Sequence, residues 1–176
     1  MIQIRFHGRG GQGVVSAAEM LSVAAFLEGR SAQAFPSFGS ERMGAPVTAY
    51  CRIDDKPIRL REPVMYPDVL VIQDPTLLHE RSLLEGLIAT GYILLNSSRP
   101  IEELTISHPG WKFALDHFCC VGATEIALRH LGRPVPSGAL LGGLAALTGL
   151  LRLESITAAI RTKAVWSSGT VGRATA

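Results

Sequence analysis

Between the alternating stretch Ile2-Gln3-Ile4-Arg5-Phe6 and the run Val14-Val15-Ser16-Ala17-Ala18 stands Gly8-Arg9-Gly10-Gly11-Gln12-Gly13, four glycines in six residues. The flanks read as a strand and a helix, so the glycines sit where the backbone turns sharply between them. Such a turn bares successive N–H groups with the positive end of the helix behind them, an arrangement that suits phosphate or another anion. Gly8, Gly10 and Gly13 also satisfy G-x-G-x-x-G, the dinucleotide fingerprint. That pattern needs an acidic residue at the end of the second strand, and Ser31-Ala32-Gln33-Ala34-Phe35-Pro36-Ser37 has none. Glu28 comes before this stretch and Glu41 after it. Gly8, Arg9, Gly10, Gly11, Gln12 and Gly13 therefore describe an anion cradle better than an NAD site. Tight strand–helix packing with no ligand is the competing reading of the same glycines.

A second unusual stretch, Phe35-Pro36-Ser37-Phe38-Gly39-Ser40-Glu41-Arg42-Met43-Gly44-Ala45-Pro46, combines aromatics, glycines and prolines with a charged pair. It follows a strand, where open α/β sheets bind their ligands, and Arg42 is its candidate for meeting a phosphate or a carboxylate. A plain turn into the next strand is the alternative. The five histidines (His7, His79, His108, His117, His130) are scattered, and none has a helical i, i+4 partner with which to hold a metal. His7 adjoins the glycine turn, where local hydrogen bonding competes with an anion contact. Cys51, Cys119 and Cys120 form no C-x-x-C, and Cys119-Cys120 read as small core residues opening a helix. Ser16 lies outside G-x-S-x-G. From the residues alone the chain offers an anion site and no acid, base or nucleophile.

The elements that position these residues alternate. After the first strand and a helix over Ala17 to Leu27 comes an extended Ser31 to Phe38, then a strand over Val47 to Ile53. A turn at Asp54-Asp55-Lys56 sends Pro57-Ile58-Arg59-Leu60 back as the second arm of a hairpin. Asp68 to Gln73 and Tyr92 to Asn96 read as buried strands, with a helix over Thr76 to Leu87 between them and Thr76 as its cap. A weaker strand is expected around Lys112 to Leu115. Helices are predicted over Val121 to Leu131, Ala139 to Leu147 and Leu153 to Lys163. Alternation of this kind predicts an α/β fold, a Rossmann-like three-layer sandwich with a mostly parallel sheet and an inserted β-hairpin. One domain is expected over residues 1–163, followed by a flexible C-terminal tail over 164–176.

The 176 residues suffice for one well-cored domain. Charged residues make up only 18% of the chain, which suggests a surface partly covered by other subunits. A net charge of +2, without a basic stripe, argues against nucleic acid. The longest apolar run, Ala139 to Leu151, is broken by glycines and too short for a bilayer. Three cysteines and a first strand with no leader before it point to the cytoplasm.

The glycine motif with Val14-Val15, then Phe35-Pro36-Ser37-Phe38-Gly39-Ser40-Glu41-Arg42, Gly44-Ala45-Pro46-Val47 and Arg52-Ile53, closely resembles the gamma subunit of 2-oxoacid:acceptor oxidoreductases, of which pyruvate:ferredoxin oxidoreductase (pyruvate synthase) is the best-known member. Asp68-Val69, Asp74-Pro75-Thr76-Leu77, Ala123-Thr124-Glu125-Ile126-Ala127, Leu131-Gly132-Arg133-Pro134 and Leu153-Glu154-Ser155 follow the same pattern. The likeness covers residues 2 to 163. Met43 departs from it, standing where the family commonly has a second basic residue. Gly138 departs too, replacing a usually polar side chain.

The resemblance implies a multisubunit enzyme that converts a 2-oxoacid and coenzyme A to acyl-CoA and CO2, or runs the reverse. Thiamine diphosphate with its Mg then lies between alpha and beta subunits, and iron–sulfur clusters lie in the beta and delta parts. Electrons pass to ferredoxin or to an NAD-reducing subunit. This chain carries neither the thiamine signature nor the cluster cysteines, so it is expected to be noncatalytic alone. On this reading the Gly8–Gly13 loop and Arg42 help hold the pyrophosphate or 3′-phosphate of coenzyme A. A stand-alone nucleotide-binding oxidoreductase domain and a purely structural subunit are the alternatives.

Overall fold

A computed structural model describes residues 1–37, 43–100, 103–104 and 117–169. Six strands form one sheet: β1 (Ile2–Arg9), β2 (Ser31–Pro36), β3 (Pro46–Asp54), β4 (Val69–Ile72), β5 (Tyr92–Asn96) and β6 (Phe118–Val121). Their order is β2-β3-β1-β4-β5-β6. β1, β4, β5 and β6 run parallel, and β3 runs antiparallel to both β1 and β2. The helices are α1 (Val14–Leu27), α2 (Ala123–Leu131), α3 (Ser137–Thr148) and α4 (Leu153–Gly169). The mostly parallel α/β sandwich expected from the alternation of elements is thus present.

The hairpin, however, has different arms. β3 pairs with β1 from Ile2↔Ile53 to Arg9↔Pro46 on one side, and with β2 from Ser31↔Asp54 to Pro36↔Ala49 on the other. Both of its edges are taken, so Pro57-Ile58-Arg59-Leu60 has no strand to return against and is irregular. The long β1–β3 ladder also carries the first strand through Gly8 and Arg9, beyond the Phe6 at which alternation ends.

The predicted helix over Thr76 to Leu87 is instead two 3₁₀ turns, Pro75–His79 and Arg81–Leu84. Asp74, not Thr76, caps the first through its side chain, which accepts the Thr76 N–H. Glu80 is extended between the turns, and this break lets Leu77, Leu78 and Leu83 all face Ile72, Ile93 and Leu95. Cys119 and Cys120 lie in β6, paired with Leu94 and Leu95, rather than opening a helix. Strand alternation sends Cys119 toward the main core and Cys120 toward the smaller one. The last helix passes Lys163 and ends at Gly169. The strand expected near Lys112 to Leu115 lies outside the described residues.

The main core lies between the sheet and α1, α3 and α4. Ile4, Phe6, Cys51, Ile53, Val71 and Leu94 project to that face, where Ala17, Ala18, Ala24 and Ala25 let α1 approach closely. Burying a side chain such as Phe6 contributes about 1.5–3 kcal/mol. The opposite face changes character along the sheet. Over β4–β5 it is apolar beneath the 3₁₀ turns, while on β1 and β3 it carries Gln3, Arg5, His7 and Arg52.

Candidate functional site

The chain leaves β1 for β3 and β2 on one side of the sheet and later returns to β4, β5 and β6 on the other. The carboxyl ends of β1 and β4 therefore flank a switch point, the place where open α/β sheets form crevices. Gly8 and Arg9 end β1 there, and Gln73 and Asp74 follow β4.

Four side chains bind this junction together. The Gln12 carboxamide accepts the Arg9 N–H at 2.8 Å and donates to Asp74 Oδ2 at 2.8 Å. Arg9 Nε lies 3.3 Å from Asp74 Oδ2, while Nη1 donates to the Gly44 carbonyl at 3.1 Å and Nη2 to Thr76 Oγ1 at 2.9 Å. Asp74 Oδ1 accepts the Thr76 hydroxyl at 2.6 Å and its N–H at 2.9 Å. Burial pushes the Asp74 carboxyl upward, but the Thr76 and Gln12 hydrogen bonds and the Arg9 charge outweigh it and hold it below the usual carboxylate range. Its charge is matched within the fold.

The glycine turn is also tied from outside. Gly10 donates to the Ala45 carbonyl at 2.9 Å and accepts the Gly44 N–H at 3.1 Å, bridging to Met43. Gln12 N–H returns to the Arg9 carbonyl at 3.1 Å. Gly13 takes the left-handed conformation, φ 76°, and caps α1 with no side-chain cap beside it. A Cβ there would lie 2.9 Å from Ser137 Oγ, whose hydroxyl donates to the Gln12 and Gly13 carbonyls. The N–H groups of Gly11 and Gly13 make no backbone hydrogen bond among the described residues. With the first turn of α1 they are the donors left for an anion. Gly11 is exposed, and Arg42 lies outside the described residues.

Two further groups line the same edge. Asn96 donates to the Gln73 carbonyl and to Thr124 Oγ1, each at 2.8 Å, and accepts the Thr124 N–H at 3.1 Å, anchoring the start of α2. Gln73 is 1% exposed, and neither of its amide atoms has a hydrogen-bond partner. The roles of Asp74, Thr76, Asn96, Ser137 and Gln73 are not apparent from spacing along the chain. Asp74-Pro75-Thr76 did carry a signal, since a strand running into Asp-Pro-Thr is a capped start.

His7 is bonded locally. Arg5 Nε donates to His7 Nε2 at 2.9 Å, which leaves the ring proton on Nδ1, 3.4 Å from Thr48 Oγ1. Burial, and then the Arg5 charge, lower its pKa to about 3, so the ring is neutral. Arg5 also donates to the Leu83 and Glu85 carbonyls at 3.0 and 2.7 Å, fastening the second 3₁₀ turn to β1. Burial raises the Cys51 thiol well above its ordinary pKa, as for an inert core cysteine. Among the described residues no three His, Cys, Asp or Glu side chains gather around a metal position. No helix there is long and apolar enough to cross a membrane.

Comparison with known proteins shows the family of the chain. A "Pyruvate/ketoisovalerate oxidoreductases common subunit gamma" from Thermococcus kodakarensis is 51% identical over 164 residues, 92% of this chain and 85% of the relative. A "Pyruvate synthase subunit PorC" from Methanosarcina barkeri is 46% identical over 161 residues, with 92% and 85% covered. The crystal structure of pyruvate oxidoreductase subunit PORC from Thermotoga maritima superposes with a TM-score of 0.79 at 39% identity, covering 92% of this chain and 84% of that one. Residues 3–165 match the pyruvate ferredoxin/flavodoxin oxidoreductase family, and the chain belongs to it.

Proposed function

We propose that this chain is the gamma subunit of a cytoplasmic 2-oxoacid oxidoreductase that converts a 2-oxoacid and coenzyme A to acyl-CoA, CO2, a proton and two electrons, or runs the reverse. The observation that carries this reading is identity of 51% along nearly the whole chain to a relative named as a gamma subunit. Bond breaking at the 2-oxoacid is assigned to the alpha and beta subunits, which would hold thiamine diphosphate and Mg. Iron–sulfur clusters in the beta and delta subunits would pass the electrons to ferredoxin or an NAD-reducing subunit. The described residues of this chain fit that division, because its cysteines are a buried one on β3 and two neighbours on opposite faces of β6. Co-expression with the neighbouring subunits tests the assignment. A complex that reduces ferredoxin with a 2-oxoacid and coenzyme A is expected; turnover by the chain alone would sink it.

Within that complex the turn at Gly8–Gly13, with Arg42, is proposed to help hold a phosphate of coenzyme A. Support comes from the Gly11 and Gly13 N–H groups and the first turn of α1, an uncapped helix start at a switch point. Bulky substitutions at Gly10 and Gly11 should raise the KM for coenzyme A while thiamine content stays constant. One observation favours a second reading: Arg9 is engaged by Asp74, Thr76 and Gly44, and Gln12 by Asp74, as in a purely structural clasp. An unchanged KM in the assembled variants would select the clasp.

A further inference from the structure

β2 is the last strand of the sheet and pairs only with β3. The Ser37 N–H donates to the Thr48 carbonyl at 2.8 Å, which fixes the phase of that ladder. In an antiparallel pair the bonded positions alternate, so Ser31, Gln33 and Phe35 turn their N–H and C=O groups toward β3. Ala32 and Ala34 turn theirs away from the sheet, and Pro36, in the same phase, has no N–H to offer. Among the described residues no strand meets these outward groups. Native edges are ordinarily blunted by lysines, bulges or a covering helix. Ser31-Ala32-Gln33-Ala34-Phe35-Pro36 contains no charge, and only its terminal proline limits pairing.

A groove of about 340 Å³ adjoins this edge at Ala34. Met20, Val23 and Ala159 line it, and the ion pair between Lys163 and Glu19 stands within its wall. Val23 and Phe26, 38% and 74% exposed on α1, extend apolar surface from it. A backbone ladder beside a pocket for alternate side chains is the arrangement by which an extended segment adds a strand to a sheet. A compact ligand in the groove would leave the Ala32 and Ala34 backbone unpaired.

We infer that β2 is a docking edge for an extended segment of a companion subunit, which pairs with Ala32–Ala34 and seats an apolar side chain between Met20, Val23 and Ala159. The inference rests on the proposed subunit role, since a chain that works inside an assembly is the one that can leave such an edge open. The Ala34 N–H takes no part in the β3 ladder, so Ala34→Pro removes an outward donor without breaking an existing bond. Val23→Asp charges the rim of the groove at an exposed position and leaves the edge backbone intact.

The test uses the assembled complex and the isolated full chain. Amide hydrogen exchange at Ala32 and Ala34 should slow by roughly tenfold or more on assembly, and each variant should weaken association with the companion subunits by a similar factor at unchanged melting temperature. Should Ala34→Pro not fold, exchange in the wild type together with Val23→Asp decides the question. A complex that forms while both amides exchange as fast as in the isolated chain would overturn the inference and leave the subunit role standing. Protection that appears in the isolated chain as its concentration rises would overturn it in favour of a second copy. If the wild-type chain joins no companion subunit, the subunit role fails and this inference with it.

Discussion

His7 and Asp74 show how single titrating groups in this fold are settled by their neighbours. The His7 ring is neutral because burial and the Arg5 guanidinium lower its pKa to about 3, while in the unfolded chain it titrates near the ordinary 6.5. A depressed folded pKa supplies stability above pH 6.5 that is lost as the pH falls toward 3, because the unfolded chain takes up the proton first. The stability advantage of the wild type over His7→Gln should therefore shrink between pH 7 and pH 4 in urea unfolding; a constant difference would contradict a buried neutral ring. Asp74 belongs to the same sign class, contributing above its unfolded pKa and losing that contribution as its carboxyl is protonated. Asp74→Asn keeps the shape but removes the charge that Arg9, Thr76 and Gln12 share. A loss of about 1.5–3 kcal/mol at neutral pH is expected in the same assay.

Elements here are joined by close approach as much as by side-chain packing. Gly8 brings β1 against α1 and β4: a Cβ at that position would lie 2.7 Å from Val14 Cγ2 and 3.2 Å from Gln73 Cβ. Gly8→Val should cost about 1–3 kcal/mol by overpacking. Gly13→Ala should cost about 1–2 kcal/mol through its left-handed backbone, before the contact with Ser137 is counted. Thermal unfolding of the two variants separates these causes, because Ser137→Ala relieves the contact at Gly13 and does nothing for Gly8. The same elements explain how much of the site was legible. Glycines clustered between a strand pattern and a helix pattern mark the turn in the sequence itself. That Gly10 would be bridged to Met43, and Gln12 and Arg9 drawn to Asp74, depends on residues 30 to 65 positions away meeting at one sheet edge.

At the scale of the molecule, the β1–β4 junction lies at the carboxyl ends of the two central strands, whereas β2 forms one lateral edge of the sheet. The proposed coenzyme A contact belongs to the first and the proposed docking edge to the second, so the two are separable. Gly10 and Gly11 variants should change the KM for coenzyme A in a complex that still forms, whereas Val23→Asp should change assembly. A single variant that altered both in proportion would mean that the turn acts through assembly alone, which is the clasp reading. The low share of charged residues, 18%, agrees with a chain that covers part of its surface with partners.

Local pattern was sufficient for the α/β class, the glycine turn, the buried strands and the family, because each depends on residue types within a short window or on a motif read in order. Three features needed the folded chain. β3 lies between β1 and β2 because hydrogen-bond ladders compete for both of its edges, and a hairpin signal at Asp54-Asp55-Lys56 cannot register that competition. The helix pattern after Asp74 gave way to 3₁₀ turns because Leu77, Leu78 and Leu83 all had to reach one apolar face. Arg9 became an internal brace because Asp74 and Thr76, remote in the chain, arrive beside it just past the end of the neighbouring strand. Periodicity reports which faces are apolar, but only the tertiary structure decides which backbone groups and charges find each other.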